Sequence, residues 1–324
     1  MTDYKKLSAK ETALRLLEIQ NPIVYLHRRP DGDAVGSGSA LCEIFRQLGA
    51  ECSILSADPI PERLRFITEF AKVTVADNTE GKTAVSIDVA SPDQLGSLKD
   101  SAPLPSLMID HHKIGEPFAD GYIVAEASSA AEALFDVALV LADMGKIQIN
   151  EQLAYALFCA ISSDTGCFSY SNATAKTHRY AASLIELGID TADINRRLFD
   201  SKSMEQIKAE GYIASVLKSE AEGRIAFATL TLDELKSLNL KSEHFETSID
   251  VIRSLSGVDI AFFLRETEHN IFKVSLRSVG INVANVAAKF GGGGHIRAAG
   301  CSITAGSIEE AKESLLNELK KELV

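Results

Sequence analysis

The chain has 324 residues, long enough for two folding units that each bury a core. Its composition, 46% hydrophobic and 24% charged, is that of a globular protein, and no run approaches the roughly 18 apolar residues that cross a bilayer. A formal net charge of -12, from 45 acidic and 33 basic residues, argues against a broad phosphate-neutralising face for long duplex nucleic acid and leaves room for small substrates and bound cations.

The opening stretch, MTDYKKLSAKETALRLLEI, reads as an amphipathic helix without the apolar run and cleavage site of a secretory signal, so a cytoplasmic protein is expected. Short apolar runs then alternate with helical patterns: IVYLH (23–27), a helix near 34–48, ECSIL (51–55), AVSID (84–88), SLMID (106–110), and helices near 129–144 and 151–162. This rhythm predicts an α/β fold with a mainly parallel sheet, flanking helices, and ligands at the C-terminal ends of the strands. From 176 to 218 the pattern is one of consecutive helices, punctuated by Gly188 and Gly211. The runs RIAFATL (224–230), VDIAFFLRE (258–266) and FKVSLRSV (272–279), with a last amphipathic helix near 307–321, predict a smaller C-terminal α/β domain. The expected division is residues 1–185 for the N-terminal domain, 186–218 for a helical connector and 219–324 for the C-terminal domain, with a cleft between the domains. Five cysteines, Cys42, Cys52, Cys159, Cys167 and Cys301, are odd in number and too scattered for a CxxC knuckle, which fits reduced thiols.

Acidic and imidazole side chains gather where the apolar runs end. HRRPDGDAVGSGS (27–39) sets His27, Asp31 and Asp33 in a short loop between strand and helix, although the same loop reads equally as a turn with an Asx cap. Asp88 closes the strand AVSID; alone it is better explained as a helix or turn cap. Asp110, His111 and His112 follow SLMI directly. Strand alternation would aim the two imidazoles at opposite faces, one at metal and one at substrate, with Asp110 orienting a ring. Asp164, in SSDTGCFSY, presents a further carboxylate from a turn after a helix. Together His27, Asp31, Asp33, Asp88, His111 and Asp164 supply four carboxylates and two imidazoles, enough for two divalent ions, with manganese the first choice for a mixed oxygen and nitrogen set. Two ions about 4 Å apart activate a bridging water and stabilise both oxygens exchanged at phosphorus.

In the second half, GGGGHIRAAG (291–300) offers approachable backbone N–H groups at Gly292, Gly293 and Gly294 beside His295, suited to a phosphate, though a glycine run is more often a tight turn. The lysine and hydroxyl of a Walker A loop are missing, so ATP-driven work is not indicated.

These motifs in this order, HRRPDGDAVGS, SIDVAS, DHH, SSDTGCFSY and GGGGHIRAAG, resemble those of the DHH–DHHA1 phosphoesterases, and within them the bacterial nanoRNA-degrading and pAp-phosphatase family, over nearly the whole chain. The resemblance implies one ion on His27, Asp31 and Asp88, and a second on Asp33, Asp88, His111 and Asp164, with a bridging hydroxide as nucleophile. It further implies His112 facing the phosphate or leaving group, Asp110 behind it, and substrate contacts from Arg277 and Ser278 in VSLRS, with Arg265 in FFLRE a weaker candidate that also reads as a solvated charge. One departure lies in EASSAAEAL (126–134), where Ala130 stands in place of the hydroxyl residue of many relatives.

The implied activity is metal-dependent hydrolysis of short single-stranded RNA and of the 3′-phosphate of pAp. Cleavage of cyclic di-AMP or pApA is the alternative within the architecture, and a non-catalytic nucleotide-binding protein is the alternative from another class. A pyrophosphatase is disfavoured by the GGGGH loop, no membrane partner is expected, and a homodimer is compatible with the sequence without being required by it.

Overall fold

The structure, a computed structural model, describes residues 4–323, and the chain divides into two compact units, one ending at Ser201 and the other beginning at Lys202. Each is built on its own six-stranded sheet.

In the first unit α1 (Ala9–Glu18), held by a capping box between Ser8 and Glu11, leads into β1 (Pro22–Tyr25) and α2 (Gly32–Gln47). The chain steps outward through β2 (Ser53–Leu55), α3 (Arg65–Ala71) and β3 (Thr74–Val75), then crosses to the other side of β1 with β4 (Thr83–Ile87). It continues through α4 (Leu98–Ser101), β5 (Leu107–Asp110) and β6 (Gly121–Ile123), and finishes with α5 (Ala130–Asp143), α6 (Glu151–Asp164), α7 (Ala175–Ile185) and α8 (Thr191–Asn195). Every strand pairing is parallel, in the order β3-β2-β1-β4-β5-β6. The strand order therefore reverses between β1 and β4, which is where open α/β sheets place their ligands. Residues Ala84 to Ile87 are all buried, as a strand covered on both faces requires.

Helix α2 is buried along one unbroken stretch from Gly32 to Phe45 because small residues line it. A Cβ on Gly36 would lie 2.7 Å from the Ala156 carbonyl oxygen and 2.8 Å from Ala160 Cβ, so α2 and α6 touch nearly backbone to backbone. Near the start of α2, a Cβ on Gly32 would lie 2.2 Å from Ser163 Oγ. This packing sets the N-terminus of α2 against the C-terminus of α6.

The second unit runs α9 (Met204–Val216), β7 (Lys218–Glu220), β8 (Ile225–Leu230), α10 (Leu232–Ser237), α11 (Ile249–Arg253), β9 (Ile260–Glu268), β10 (Ile271–Ser278), α12 (Val283–Lys289), β11 (Gly293–His295), β12 (Ala298–Thr304) and α13 (Ile308–Lys321). Its sheet order is β11-β12-β10-β9-β8-β7, parallel only between β8 and β9. Alternation along β8 and β9 sends Ile225, Phe227 and Phe262 to one core and Ala226, Ala228 and Phe263 to another, so helices cover both faces.

The helical stretch after residue 175 is shared between the units. Ala181 and Leu184 of α7 and Ile194 of α8 join the first core, whereas Ala209 and Ile213 of α9 join a core of the second. Gly188, with φ +88°, makes a turn between α7 and α8, but Gly211 lies inside α9 rather than between helices.

Candidate metal centre

Asp31 is the N-cap of α2, its Oδ1 accepting from the amides of Asp33 and Ala34 at 3.0 Å each. The Asx cap that the sequence left as an alternative is thus present, and Asp33 stands in the first helical turn rather than in the loop. Asp33 is only 1% exposed. Its carboxylate is held by the first amides of α5, Ala130 N–H to Oδ2 at 2.6 Å and Ala131 N–H to Oδ1 at 3.2 Å, at the positive end of that helix. Because backbone donors do this work, the departure at Ala130 removes no bond to Asp33.

Asp88 follows β4 by one residue in left-handed backbone, φ +58°, and its amide donates to the Ile109 carbonyl at 3.0 Å. Aspartate tolerates this conformation better than most side chains do. The carboxylate stands between two imidazoles, with His27 Nε2 3.5 Å from Oδ2 and His111 Nε2 3.5 Å from Oδ1. His27 Nε2 also lies 3.7 Å from Asp31 Oδ1, and His111 Nε2 lies 3.8 Å from Asp33 Oδ2 and 3.9 Å from Asp164 Oδ2. Asp164 is the last residue of α6, not part of the following turn.

These separations are long for hydrogen bonds and suit atoms that share a cation at bond lengths of about 2.1 Å. Three groups of donor atoms, each within 4.8 Å of one another, overlap here: His27, Asp31 and Asp88; Asp33, His111 and Asp164; and Asp88, His111 and His112. All six residues expected as ligands are therefore brought together. The ring orientations fit as well: His27 Nδ1 faces the Arg28 carbonyl at 2.8 Å and His111 Nδ1 the Ala127 carbonyl at 3.4 Å, which leaves both Nε2 atoms toward the carboxylates.

The two adjacent histidines do not point to opposite faces. Strand β5 ends at Asp110, so alternation no longer governs the next residues; the rings sit 4.8 Å apart, and His112 Nδ1 also lies 3.8 Å from Asp88 Oδ1. His112 Nδ1 is held by Asp110 Oδ1 at 2.7 Å, the orienting contact expected of that aspartate.

Charge is crowded. Burial raises Asp33 well above the usual carboxylate range and, with the neighbouring Asp31 and Asp88, lifts Asp164 to about 7. Burial works to raise Asp88 too, yet the imidazoles on either side hold it below that range. For His27 burial opposes protonation, but Asp31 and Asp88 outweigh it and raise the ring to about 11; His111 is raised for the same kind of reason by Asp88, Asp33 and Asp164. Protons therefore stand in for cations. Binding divalent metal must expel them, so manganese binding is expected to release protons at neutral pH and to tighten as pH rises between about 6 and 8. Calorimetric titration in buffers of different ionisation enthalpy measures this; heats independent of buffer would contradict it.

In the second unit β10 and β12 pair Arg277 with Ala298, and β11 pairs His295 with the same Ala298, so the register brings Arg277 and the glycine run to one end of the sheet. Ser278 joins them, its amide donating to the Arg297 carbonyl at 3.0 Å and its hydroxyl to the Ile281 carbonyl. The run forms a hairpin edge: Gly294 has φ +137°, and a Cβ there would lie 2.5 Å from the Ala298 carbonyl oxygen. The backbone of Gly292 approaches β12 as closely, while nothing lies near a Cβ on Gly293. The side chain of His295 lies outside the described residues. Arg277 Nη1 donates to the Leu276 carbonyl at 2.9 Å. Arg265 is not at this end: it pairs with Lys273, four residues back along β10, and is buried with Nη1 donating to the Ser242 carbonyl at 2.7 Å rather than solvated.

Sequence reasoning missed Glu132, a buried carboxylate that accepts from Ser128 and Thr177, and Asn172, which donates to Asp164. Neither stands in a pattern that periodicity or charge would single out.

A doubly wound parallel sheet with a carboxylate and imidazole cluster at its switch point, followed by a mixed-sheet unit, is the architecture of a metal-dependent phosphoesterase. The chain belongs to the DHH–DHHA1 phosphoesterases: residues 21–161 match the DHH family, N-terminal domain, and residues 222–324 the DHHA1 domain. It is 30% identical to the bifunctional oligoribonuclease and PAP phosphatase NrnA of Thermus thermophilus, covering 95% of this chain and 92% of that protein. It is 27% identical to the protein of the same name from Bacillus subtilis, over 91% and 93% of the two chains. A solved structure of an exopolyphosphatase-related protein from Bacteroides fragilis matches with a TM-score of 0.86 at 25% identity, over 97% of this chain and 96% of that one. Among the described residues no helix is long and apolar enough to cross a membrane.

Proposed function

We propose that the chain is a manganese-dependent hydrolase that degrades RNA fragments a few nucleotides long and removes the 3′-phosphate of pAp. The observation that carries this reading is the convergence of four carboxylates and two imidazoles at the switch point of a chain that aligns, nearly end to end, with a relative named for both activities. His27, Asp31 and Asp88 would hold one ion, and Asp33, Asp88, His111 and Asp164 the other. When bound, the ions supply Lewis acidity at the phosphoryl oxygens and lower the pKa of the attacking water.

The chain's own proton chemistry falls to His112. Burial opposes its protonation, but Asp110 and Asp88 outweigh that effect and raise its pKa. With Nδ1 fixed on Asp110, the ring carries a proton at Nε2 and donates it to the departing oxygen. Asp110, 2% exposed, holds the ring orientation. In the second unit the Arg277 guanidinium and the amides of Gly292, Gly293 and Gly294, with Ser278 and His295 beside them, suit a terminal phosphate of the substrate. The net charge of -12 favours short substrates over long ones, and five free thiols fit a reducing cytoplasm.

The test is a side-by-side hydrolysis assay with manganese, offering a short RNA, pAp, pApA and cyclic di-AMP, with EDTA as control. Fast cleavage of short RNA and pAp, abolished by EDTA, is expected. Dominance of cyclic di-AMP or pApA would move the enzyme to turnover of a cyclic dinucleotide signal, and binding without hydrolysis of all four would reduce it to a nucleotide-binding protein.

A further inference from the structure

Between α6 and α7 lies a side chain that neither the ligand set nor the proposed chemistry uses. Asn172 Nδ2 donates to the Ser128 carbonyl at 2.9 Å, to the Asp164 carbonyl at 3.0 Å and to Asp164 Oδ2 at 3.4 Å. Three oxygens around one nitrogen decide which way the amide points, because the reverse orientation would press Oδ1 against two carbonyls and a carboxylate. Oδ1 itself is buried and has no hydrogen-bond partner among the described residues, so the amide serves here as a donor.

The Ser128 carbonyl belongs to a strip of backbone that already serves the other ligands. One residue earlier, the Ala127 carbonyl faces His111 Nδ1; two and three residues later, the amides of Ala130 and Ala131 hold Asp33. The strip is anchored from behind by Glu132, whose Oε2 accepts from Ser128 Oγ at 2.6 Å, the Ser128 amide at 3.2 Å and Thr177 Oγ1 at 2.8 Å. One amide thus ties Asp164 to the backbone that sets Asp33 and His111.

We propose, building on the metal-dependent reading of the site, that Asn172 is a positioning residue for the second ion, locking Asp164 against the 127–131 strip so that Asp33, His111 and Asp164 converge before the ion arrives. Asp164 sits at the last position of its helix, and the Asn172 amide supplies a hydrogen bond to its carboxylate as well as to its carbonyl. Partners that orient a ligand typically change metal affinity by about 10–100-fold when they are removed.

The experiment titrates manganese into metal-free wild type, Asn172→Ala, Asn172→Leu and Tyr180→Phe by calorimetry, with thermal unfolding of the same samples and activity followed against manganese concentration. Asn172→Leu fills the volume that alanine leaves, in case the smaller side chain unfolds the loop. Tyr180→Phe removes a hydrogen bond to Asp136, away from the ligands, and reports a purely structural loss. The Asn172 variants are expected to weaken one of the two ions by about 10–100-fold, with activity returning as manganese is raised, while Tyr180→Phe loses thermal stability and keeps both affinities. Asn172 variants that lose stability but bind manganese within about two-fold of wild type would overturn the proposal, as would a loss of activity that no manganese concentration restores. Wild type that binds two ions yet hydrolyses none of the four substrates would defeat the functional reading and leave the role of Asn172 standing.

Discussion

Asp88→Ala is expected to lower turnover of short RNA by about a thousand-fold or more, even at saturating manganese, because in the proposed assignment this one carboxylate serves both ions. Its two oxygens face different imidazoles, Oδ2 toward His27 and Oδ1 toward His111, so no neighbour replaces it on both sides. Alanine also meets the left-handed backbone at φ +58°, at a cost of about 1–2 kcal/mol, so some thermal stability goes with the activity. Asp88→Asn separates the two effects. Asparagine accepts that backbone, and the variant should fold like wild type and remain inactive. Near-normal kcat in either variant at saturating manganese would remove Asp88 from the shared position.

Gly36→Ala should be the most damaging change that touches no ligand. The added Cβ would lie 2.7 Å from the Ala156 carbonyl oxygen and 2.9 Å from the Ala160 amide nitrogen, and both are backbone atoms that cannot swing aside. Overpacking of this kind costs about 1–3 kcal/mol. The push is delivered between α2, which carries Asp31 and Asp33, and α6, which carries Asp164, so manganese affinity should fall together with the unfolding midpoint. Gly211→Ala is the matched contrast: it lies within α9 with no atom inside 4 Å of a new Cβ, and should gain about 0.5–1 kcal/mol. Denaturant titration of both variants checks the signs. Equal effects would mean that the α2–α6 contact yields more readily than its backbone geometry implies.

Much of the candidate site was legible because chemistry-bearing residues follow apolar runs. AVSID and SLMID announce buried parallel strands, and in such a sheet the residues just beyond a strand are delivered to one rim. The spacing said less about orientation. His111 and His112 were expected on opposite faces, but β5 stops one residue before them, and a strand end is among the least certain features of a sequence pattern. The left-handed backbone at Asp88 carries no mark in the residue types around it. Strand β3, two exposed residues, is too short for alternation to show. GSGS in the segment 27–39 drew attention for its loop, yet its Gly36 matters for how closely α6 approaches and its Gly38 for how closely the helix lies on Leu26 and Ile54. Ala130 illustrates the opposite error: judged by side chain it weakens the match, while the interaction at that position is made by an amide that every residue except proline carries.

The residues proposed as ligands also come from unequal spans of chain. His27, Asp31 and Asp88 all precede residue 89, whereas Asp33 is joined to its helix-end amides only at Ala130 and Ala131, and Asp164 closes the set at the end of α6. Synthesis proceeds from the N-terminus, so the residues of the first trio are all made before the second trio is complete. A polypeptide on the ribosome that has passed His111 but is short of Glu151 contains every residue of the first trio and lacks Asp164 of the second. Helix α2, at whose start Asp31 and Asp33 stand, also lacks its packing partner α6 until then, so the geometry of both groups waits on the same stretch of chain.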